Sequence, residues 1–311
     1  MPATSSAGSV IDVRGLRKSY GDIEVVRGID LNVRRGEVFA FLGPNGAGKT
    51  TTVEILEGYR ERSGGEVAVL GSDPQHAGGD WRARIGLVLQ STTMPAELSV
   101  HEIVDLYASF YPHPRSIEET IDLVGLAKKR DARADSLSGG QVRRLEVALA
   151  LIGDPELVFL DEPTTGFDPA ARHQAWEMVS DLRSLGTTIF LTTHYMDEAQ
   201  HLADRVAVIV AGQIVAEGTP DSLGGAERAV TRIAFGVTDG FSLEALPERL
   251  RGEAALAGTR VEVRTSQPAR AVAELSRWAL DRGDQLDDLT VGRPTLEDVY
   301  LQLTGDAVSG E

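Results

Sequence analysis

The sequence predicts an α/β fold, and three observations support this prediction. A glycine-rich segment, residues 43–51 (GPNGAGKTT), lies between a strand-like apolar run, residues 37–42, and a helical run that extends to residue 59. Further apolar runs of strand length end in polar residues, as strands do at the ligand-binding edge of a parallel sheet. The chain has 311 residues, 42% of them hydrophobic, which is enough for about two domains with proper cores.

Composition and charge argue against several classes of protein. The net charge of −16 opposes nonspecific binding to the phosphate backbone of nucleic acids. No apolar run approaches the ~20 residues that a membrane-spanning helix needs. Residues 1–9 lack the basic head and apolar core of a signal peptide, so we expect a short tail there. The lack of cysteine rules out disulfides and thiolate metal sites and is compatible with the cytoplasm.

The glycine-rich segment fits the phosphate-binding loop pattern without a mismatch. Glycines let the backbone curl so that successive N–H groups point at phosphate oxygens. Lys49 brings a cation to the β- and γ-phosphates, and the Thr50 hydroxyl is the expected ligand for Mg2+. The segment therefore predicts a nucleoside triphosphate site. Its predicted binding residues are Gly43, Pro44, Asn45, Gly46, Ala47, Gly48, Lys49, Thr50 and Thr51.

A second apolar run, residues 156–163, ends in two acids. In a protein with a phosphate-binding loop, Asp161 is the natural second contact for Mg2+. Glu162 is then the candidate base for the attacking water. The alternative is that these acids only terminate a strand.

Other residues are ambiguous when each is taken alone. Ser138 caps a predicted helix after residues 137–141 (LSGGQ), which suits an anion but also occurs in plain loops. Residues 17–22 are expected to form a turn between two strand-like runs, and Tyr20 within them could stack on adenine or cover the core at a sheet edge. Gln90 and His194 follow predicted strands and could be ordinary surface or capping residues. Two arginines, Arg143 and Arg144, are expected to be solvated charges on a helix.

The order of predicted elements indicates two domains. A helical insertion, residues 100–133, carries apolar residues at helical spacing and is broken at residues 111–114. A small second domain follows the boundary signal at residues 218–220. It contains predicted strands at residues 230–237, 259–264 and 286–291 and an amphipathic helix at residues 269–282.

Taken together, these motifs resemble the nucleotide-binding subunit of ABC transporters. The resemblance covers about residues 9–224, with six ordered motifs at suitable spacing. It implies that Tyr20 stacks on adenine, that Gln90 senses Mg2+ and the membrane partner, and that His194 is the switch histidine. Asp168 corresponds to the aspartate of the dimer-contact loop. The signature segment, residues 137–141, corresponds to the family signature without substitution, and its predicted ATP contacts are Ser138, Gly139, Gly140 and Gln141.

The resemblance implies an ABC-ATPase domain of the P-loop NTPase class at residues 9–224, with a helical subdomain at about 97–152. A small α/β accessory domain, residues 225–311, follows, and its closing segment resembles exporters of the drug and lipid branch. The implied function is ATP hydrolysis with Mg2+ that powers export through a separate permease. Two chains would enclose ATP as a homodimer, with the signature segment supplied by the second copy. The implied location is cytoplasmic, peripheral on the membrane through the permease.

Two alternatives compete with this interpretation. A soluble ABC ATPase that acts on ribosomes or nucleic acid usually has two cassettes or a long coiled coil, and this chain has one cassette and no sustained heptads. A nucleotide-binding scaffold without turnover is disfavoured because Glu162 and His194 are both present. We also expect a groove between the helical insertion and the Gln90 region to receive a cytoplasmic helix of the permease.

Overall fold

The computed structural model describes residues 8–88, 94–164, 167–223, 230–238, 240–283, 286–292, 296–298 and 300. The chain divides into two compact units. The first unit ends at Pro220, and the second begins at Asp221. No helix in these described ranges is long and apolar enough to cross a membrane.

The first unit contains nine strands and seven α-helices within its described residues. The strands are β1 (Ser9–Tyr20), β2 (Ile23–Arg34), β3 (Val38–Leu42), β4 (Gly64–Val69), β5 (Ile85–Val88), β6 (Leu157–Asp161), β7 (Thr188–Thr193), β8 (Arg205–Val210) and β9 (Gln213–Gly218). The helices are α1 (Lys49–Leu56), α2 (Gly79–Arg82), α3 (Val100–Ala108), α4 (Ile117–Leu123), α5 (Gly139–Leu151), α6 (Pro169–Ser184) and α7 (Met196–Leu202).

These strands form two sheets. The larger sheet has the order β5-β6-β7-β3-β8-β9 and is parallel except for β9. The smaller sheet is antiparallel, with the order β2-β1-β4. The predicted α/β class is therefore confirmed. In the parallel sheet, the phosphate-loop strand β3 is separated from the acid-bearing strand β6 only by β7, so their carboxyl ends lie at one edge.

Two apolar cores stabilise this unit. One lies between the two sheets and contains a cluster of aromatic rings, in which Phe39 and Phe190 stack with centroids 5.7 Å apart. The other joins the parallel sheet to the helical insertion through residues such as Ile103, Leu145 and Val179. Burial of these side chains fixes the insertion against the sheet. The insertion is helical and is interrupted between α3 and α4, as the sequence predicted.

The first hairpin differs from its prediction. The sequence predicted a turn over residues 17–22, but β1 continues through Tyr20 and only Gly21 and Asp22 form the turn. Arg17 and Lys18 pair with residues of β2 instead. Exposed charged residues at the end of a two-stranded hairpin remain in the ladder because their side chains reach solvent while their backbone groups are paired.

The second unit is a four-stranded antiparallel sheet with two described α-helices. The elements are β10 (Thr231–Gly236), α8 (Glu248–Arg251), β11 (Ala254–Ala257), β12 (Arg260–Thr265), α9 (Pro268–Arg282) and β13 (Asp287–Gly292). The strand order is β11-β12-β10-β13. Alternating residues of β10 and β12, such as Phe235 and Val263, pack with Leu275 of α9 in one apolar core. Two short elements of four residues each, β11 and α8, were not predicted from the sequence.

Candidate functional site

The phosphate-binding loop connects β3 to α1, and the surrounding backbone requires two of its glycines, Gly43 and Gly48. A β-carbon on Gly43 would lie 2.3 Å from the carbonyl oxygen of Ile209. Gly48 has a φ of 104°, in the left-handed region, and a β-carbon there would lie 2.9 Å from the carbonyl oxygen of Val25. Other residues cannot occupy these two positions without moving the backbone. The loop therefore curls tightly at the positive end of the α1 dipole, where an anion is favoured.

Lys49 closes this loop. Its Nζ donates hydrogen bonds to the carbonyl oxygens of Gly43 at 2.7 Å and Pro44 at 3.1 Å. Burial lowers the pKa of Lys49, while the negative charges of Glu162 and Asp161 act in the opposite direction. The two carboxylates thus help to keep a buried ammonium charged beside the loop.

A cavity of about 190 Å³ brings the loop together with the acidic end of β6. It is lined by Val25, Asn45, Gly46, Gly48, Lys49, Thr50, Thr51, Asp161 and Glu162. The hydroxyl of Thr50 and the carboxylate of Asp161 are hard oxygen donors, so the donor set fits Mg2+. The described residues contain no cluster of three or more His, Cys, Asp or Glu that could hold a metal.

The carboxyl end of β6 is held by the neighbouring strand β7. The hydroxyl of Thr192 donates to Oδ1 of Asp161. The backbone N–H of Glu162 donates to the carbonyl oxygen of Thr192 at 3.0 Å and to its hydroxyl at 3.2 Å. Glu162 has a φ of 46°, a left-handed conformation that is unusual for a residue with a side chain. Such strain persists only where surrounding contacts impose it, and it is common at active sites.

His194 follows β7 and contacts Glu162 directly. Its Nδ1 lies 3.2 Å from Oε1 of Glu162. The ring is 40% exposed and tilts against Tyr195, with centroids 4.1 Å apart. The guanidinium of Arg172 lies 4.4 Å from the centre of the Tyr195 ring. Tyr195 therefore orients the His194 ring from one side, and the ring remains partly exposed to solvent.

The signature segment forms a second helix N-terminus. The Ser138 hydroxyl accepts from the Gln141 N–H at 3.4 Å, and the Gln141 side chain accepts from the Ser138 N–H at 3.0 Å. This capping box fixes the start of α5. Beside it lies a cavity of about 840 Å³ whose lining includes Ser138, Gly139, Gly140, Gln141, Glu162, Phe167 and Asp168. Among the described residues, Glu162 is the single lining residue that this cavity shares with the phosphate-loop cavity.

Two family models match the chain: one described as ABC transporter at residues 26–165, and an ABC transporter-like C-terminal domain at residues 231–295. The Nod factor export ATP-binding protein I of Rhizobium meliloti (strain 1021) is 40% identical over 300 residues, covering 95% of this chain and 88% of that protein. This chain belongs to the ABC transporter ATP-binding proteins. It is an ATPase with the ABC cassette fold.

Other relatives agree with this assignment. The daunorubicin resistance ATP-binding protein DrrA3 of Streptomyces coeruleorubidus is 37% identical to this ABC ATPase over 313 residues, covering 96% of this chain and 97% of that protein. Among solved structures, cbiO1 from Clostridium perfringens, described as part of the ABC transporter complex cbiONQ, superposes with a TM-score of 0.64. Its sequence identity is 27%, and the match covers 71% of this chain and 93% of that chain.

The resemblance assigns three further residues to the ATP site of this ABC ATPase: Tyr20, Gln90 and Asp168. Gln90 is outside the described residues. Asp168 caps α6 by accepting from the Ala171 N–H at 2.7 Å. Tyr20 is 41% exposed at the end of β1, where the Lys18 ammonium and the Arg60 guanidinium lie 5.0 and 5.3 Å from its ring centre.

The prediction that Arg143 is a solvated charge was wrong for this ABC ATPase, because the residue is only 9% exposed. It donates to Glu146, Asp161 and Pro163. The apolar character of α5 is the sequence signal that could have revealed this burial. After Arg144, α5 is apolar on nearly every face, so a charged residue on this helix has little access to solvent. Arg144 does lie at the surface, where it bonds Gln174.

Proposed function

We propose that this ABC ATPase powers export of a small molecule, drug or lipid through a separate membrane permease. The observation that carries the proposal is the single cavity in which the phosphate loop faces Asp161 and Glu162. The relatives named for Nod factor export and daunorubicin resistance support export as the transport direction. They also favour transport over the alternative of an ABC ATPase that acts on ribosomes or nucleic acid.

The reaction is ATP + H2O to ADP + phosphate, which depends on the placement of charge and water. Lys49 and the N–H groups of the loop stabilise negative charge on the β- and γ-phosphates. The oxygens of Thr50 and Asp161 would hold Mg2+, which neutralises phosphate charge when bound. Glu162 accepts a hydrogen bond from the attacking water and polarises it, and His194 orients the Glu162 carboxylate through the contact described above. The family resemblance assigns Gln90 to the same pocket.

A second copy of the chain completes each site. The signature residues line a different cavity from the phosphate loop, so within one chain they do not face the same nucleotide. In the proposed homodimer, Ser138 and Gly140 of one copy face the γ-phosphate bound by the other copy. Tyr20 stacks on adenine, and Asp168 lies at the contact between copies. ATP thus holds the two copies together, and hydrolysis releases them.

The domain division proposed for this function is an ATPase domain at residues 9–224 and an accessory domain at residues 225–311. The helical subdomain at about 97–152 belongs to the first domain. The accessory domain supports the dimer or regulates it. The ATPase acts on the cytoplasmic face of the membrane and is held there by its permease.

A groove of about 540 Å³ is the proposed docking site for a permease helix. It is lined by Glu57, Gly58, Tyr59, Arg82, Ile85, Leu87, Tyr107, Tyr111, Glu146, Leu149 and Ala150. Its wall is formed by the end of α1, by β5, by α5 and by the helical insertion. Apolar and tyrosine side chains suit an amphipathic helix.

Membrane sedimentation tests this proposal. The chain should pellet with membranes only when its permease is co-expressed. Tyr59, which is 68% exposed in the groove, provides a groove variant, Tyr59→Glu, which should abolish pelleting without loss of ATPase activity. Leu280 is 79% exposed in the second unit, and Leu280→Glu is the matched control that should still pellet. Pelleting with ribosomes or nucleic acid, independent of any permease, would contradict the transport function.

A further inference from the structure

Arg143 donates hydrogen bonds to three residues in the part of the chain that the structure describes. Its Nη1 donates to Oε2 of Glu146 at 2.7 Å. Its Nη2 donates to the carbonyl oxygen of Asp161 at 3.0 Å, and its Nε donates to the carbonyl oxygen of Pro163 at 3.3 Å. Arg143 lies on α5, only two residues after the signature segment. The guanidinium therefore connects the signature helix to the backbone on both sides of Glu162.

The turn that Arg143 contacts is the strained turn at Glu162. Thr192 holds the N–H of Glu162, and Arg143 holds the carbonyl groups before and after that residue. Since Glu162 is in the left-handed region, its conformation depends on such external contacts. The direction of its carboxylate, which lines the cavity with Lys49, depends on the same contacts.

Stability alone does not explain the ion pair between Arg143 and Glu146. The Arg143 and Glu146 side chains are 10% and 9% exposed, so both charges have lost most of their hydration. A buried pair seldom stabilises a fold more than apolar side chains of similar volume would. Arginine does offer a rigid fork of donors that apolar groups lack. Glu146 also lines both the signature cavity and the proposed permease groove, so the pair lies between these two surfaces.

We propose that Arg143 is a positioning residue for ATP hydrolysis: it sets the Glu162 carboxylate and couples its orientation to the signature helix. This inference rests on the proposed role of Glu162 and on the proposed dimer. In that dimer, the signature helix of one copy contacts the nucleotide of the other. Arg143 thus links closure at one ATP site to the water-activating carboxylate of the second site.

Steady-state ATPase kinetics of the full-length Arg143→Lys variant test the inference. Lysine keeps the positive charge beside Glu146 but cannot bridge both carbonyls. We expect kcat to fall about 10-fold or more, with KM for ATP within about 2-fold of the unchanged chain. Arg130→Lys is the control, since Arg130 is a partly exposed arginine of the same helical subdomain and is paired with Glu118 at 2.8 Å. A rise in KM with unchanged kcat would overturn the inference.

A double-mutant cycle separates positioning from a general structural role. If Arg143 acts through Glu162, Arg143→Lys should lower kcat little further in a Glu162→Gln background. If Glu162→Gln is clearly impaired and the two losses of kcat multiply in the double variant, the inference about Arg143 is overturned while the proposed function of the chain stands. Unchanged turnover in Glu162→Gln would remove Glu162 from its proposed role and the inference with it.

Glu146→Gln provides the test if Arg143→Lys does not fold. Glutamine can still accept the hydrogen bond from Arg143 but lacks the charge that fixes it. The inference is supported if Glu146→Gln lowers kcat by less than Arg143→Lys is expected to, leaves KM unchanged and does not lower kcat further in a Glu162→Gln background. Unchanged kcat would contradict it.

Discussion

The phosphate loop and the signature segment are both glycine-containing turns at a helix N-terminus, but the surroundings of their glycines differ. A β-carbon on Gly43 or Gly48 would lie 2.3 or 2.9 Å from a backbone carbonyl oxygen. A β-carbon on Gly139 would meet no atom within 4 Å, and one on Gly140 would meet only a methyl group at 4.0 Å, in the part of the chain that the structure describes.

This difference shows that a glycine can be required at a helix N-terminus for two different reasons. The fold of the chain itself requires Gly43 and Gly48 of the phosphate loop, since a side chain at either position would strike the backbone of a neighbouring strand. Nothing in the described part of one chain requires the glycines of the signature segment. The proposed second copy supplies the missing reason, because its bound triphosphate would approach the backbone there. The comparison thus distinguishes a site built within one chain from a site that needs two.

The largest expected effect is on hydrolysis, from Gly140→Asp. The aspartate has space in the free chain, so folding and ATP binding should remain. A carboxylate facing the γ-phosphate of the second copy would repel it, so ATPase activity should fall by about 10² or more. Nucleotide binding by equilibrium dialysis and phosphate release together check this result. Normal turnover would show that Gly140 does not approach the nucleotide.

Glu162→Gln should have the next largest effect. The amide cannot act as a base, so hydrolysis should slow by about 10² while ATP binding persists. Because separation of the copies would require hydrolysis, a closed dimer should accumulate with ATP. Light scattering during chromatography measures the mass. Lys49→Ala is the control, since it loses the buried ammonium that binds phosphate and should neither bind ATP well nor dimerise.

Stability provides a direct comparison of the two glycine-containing turns. Gly43→Ala should destabilise the chain by about 1–3 kcal/mol, because the added methyl overlaps a backbone carbonyl group. Gly140→Ala should change stability by less than about 1 kcal/mol, and in the stabilising direction, because alanine favours the first turn of α5. Thermal unfolding of both variants checks the signs. Equal destabilisation would remove the distinction between the two turns.

The last expected effect is on the pH dependence of stability and concerns Glu57 in the proposed permease groove. Burial, with the nearby charges of Asp161 and Glu54, raises the pKa of Glu57 from 4.5 to about 8. Between these values the folded chain holds a proton that the unfolded chain releases, so this group lowers stability as pH rises from 4.5 to 8. Glu57→Gln removes this dependence.

Thermal unfolding at two pH values measures the Glu57 effect. Glu57→Gln should raise the midpoint by a few degrees at pH 8.5 and change it little at pH 5. Glu61→Gln, at a nearby exposed glutamate, is the control. A gain of the same size at both pH values would mean that the charge of Glu57 is not the cause.

The phosphate loop, the parallel sheet and the acids at the end of β6 could be predicted from the sequence because each follows a local rule. Glycine spacing specifies the loop, and the carboxyl end of a buried strand specifies the place of Asp161 and Glu162. The extent of β1 was missed because charged residues resemble a turn when their cross-strand partners are unknown. The predicted site residues and the role of each remain proposals.

Arg143 could not be placed from local rules. An arginine three residues before a glutamate on a helix usually indicates a solvated pair. Its burial depends on the turn after β6, which lies 18 residues or more along the chain. Side chains that act between elements distant in sequence are visible only once the fold brings those elements together.

The central claim is that each ATP site is assembled from two copies of the chain. The most direct test is the specific ATPase rate measured over a wide range of chain concentrations, with molecular mass determined by sedimentation in the same samples. We predict that the rate per chain rises with concentration as ATP-bound dimers form. A rate per chain that stays constant while the protein remains monomeric throughout would contradict the claim.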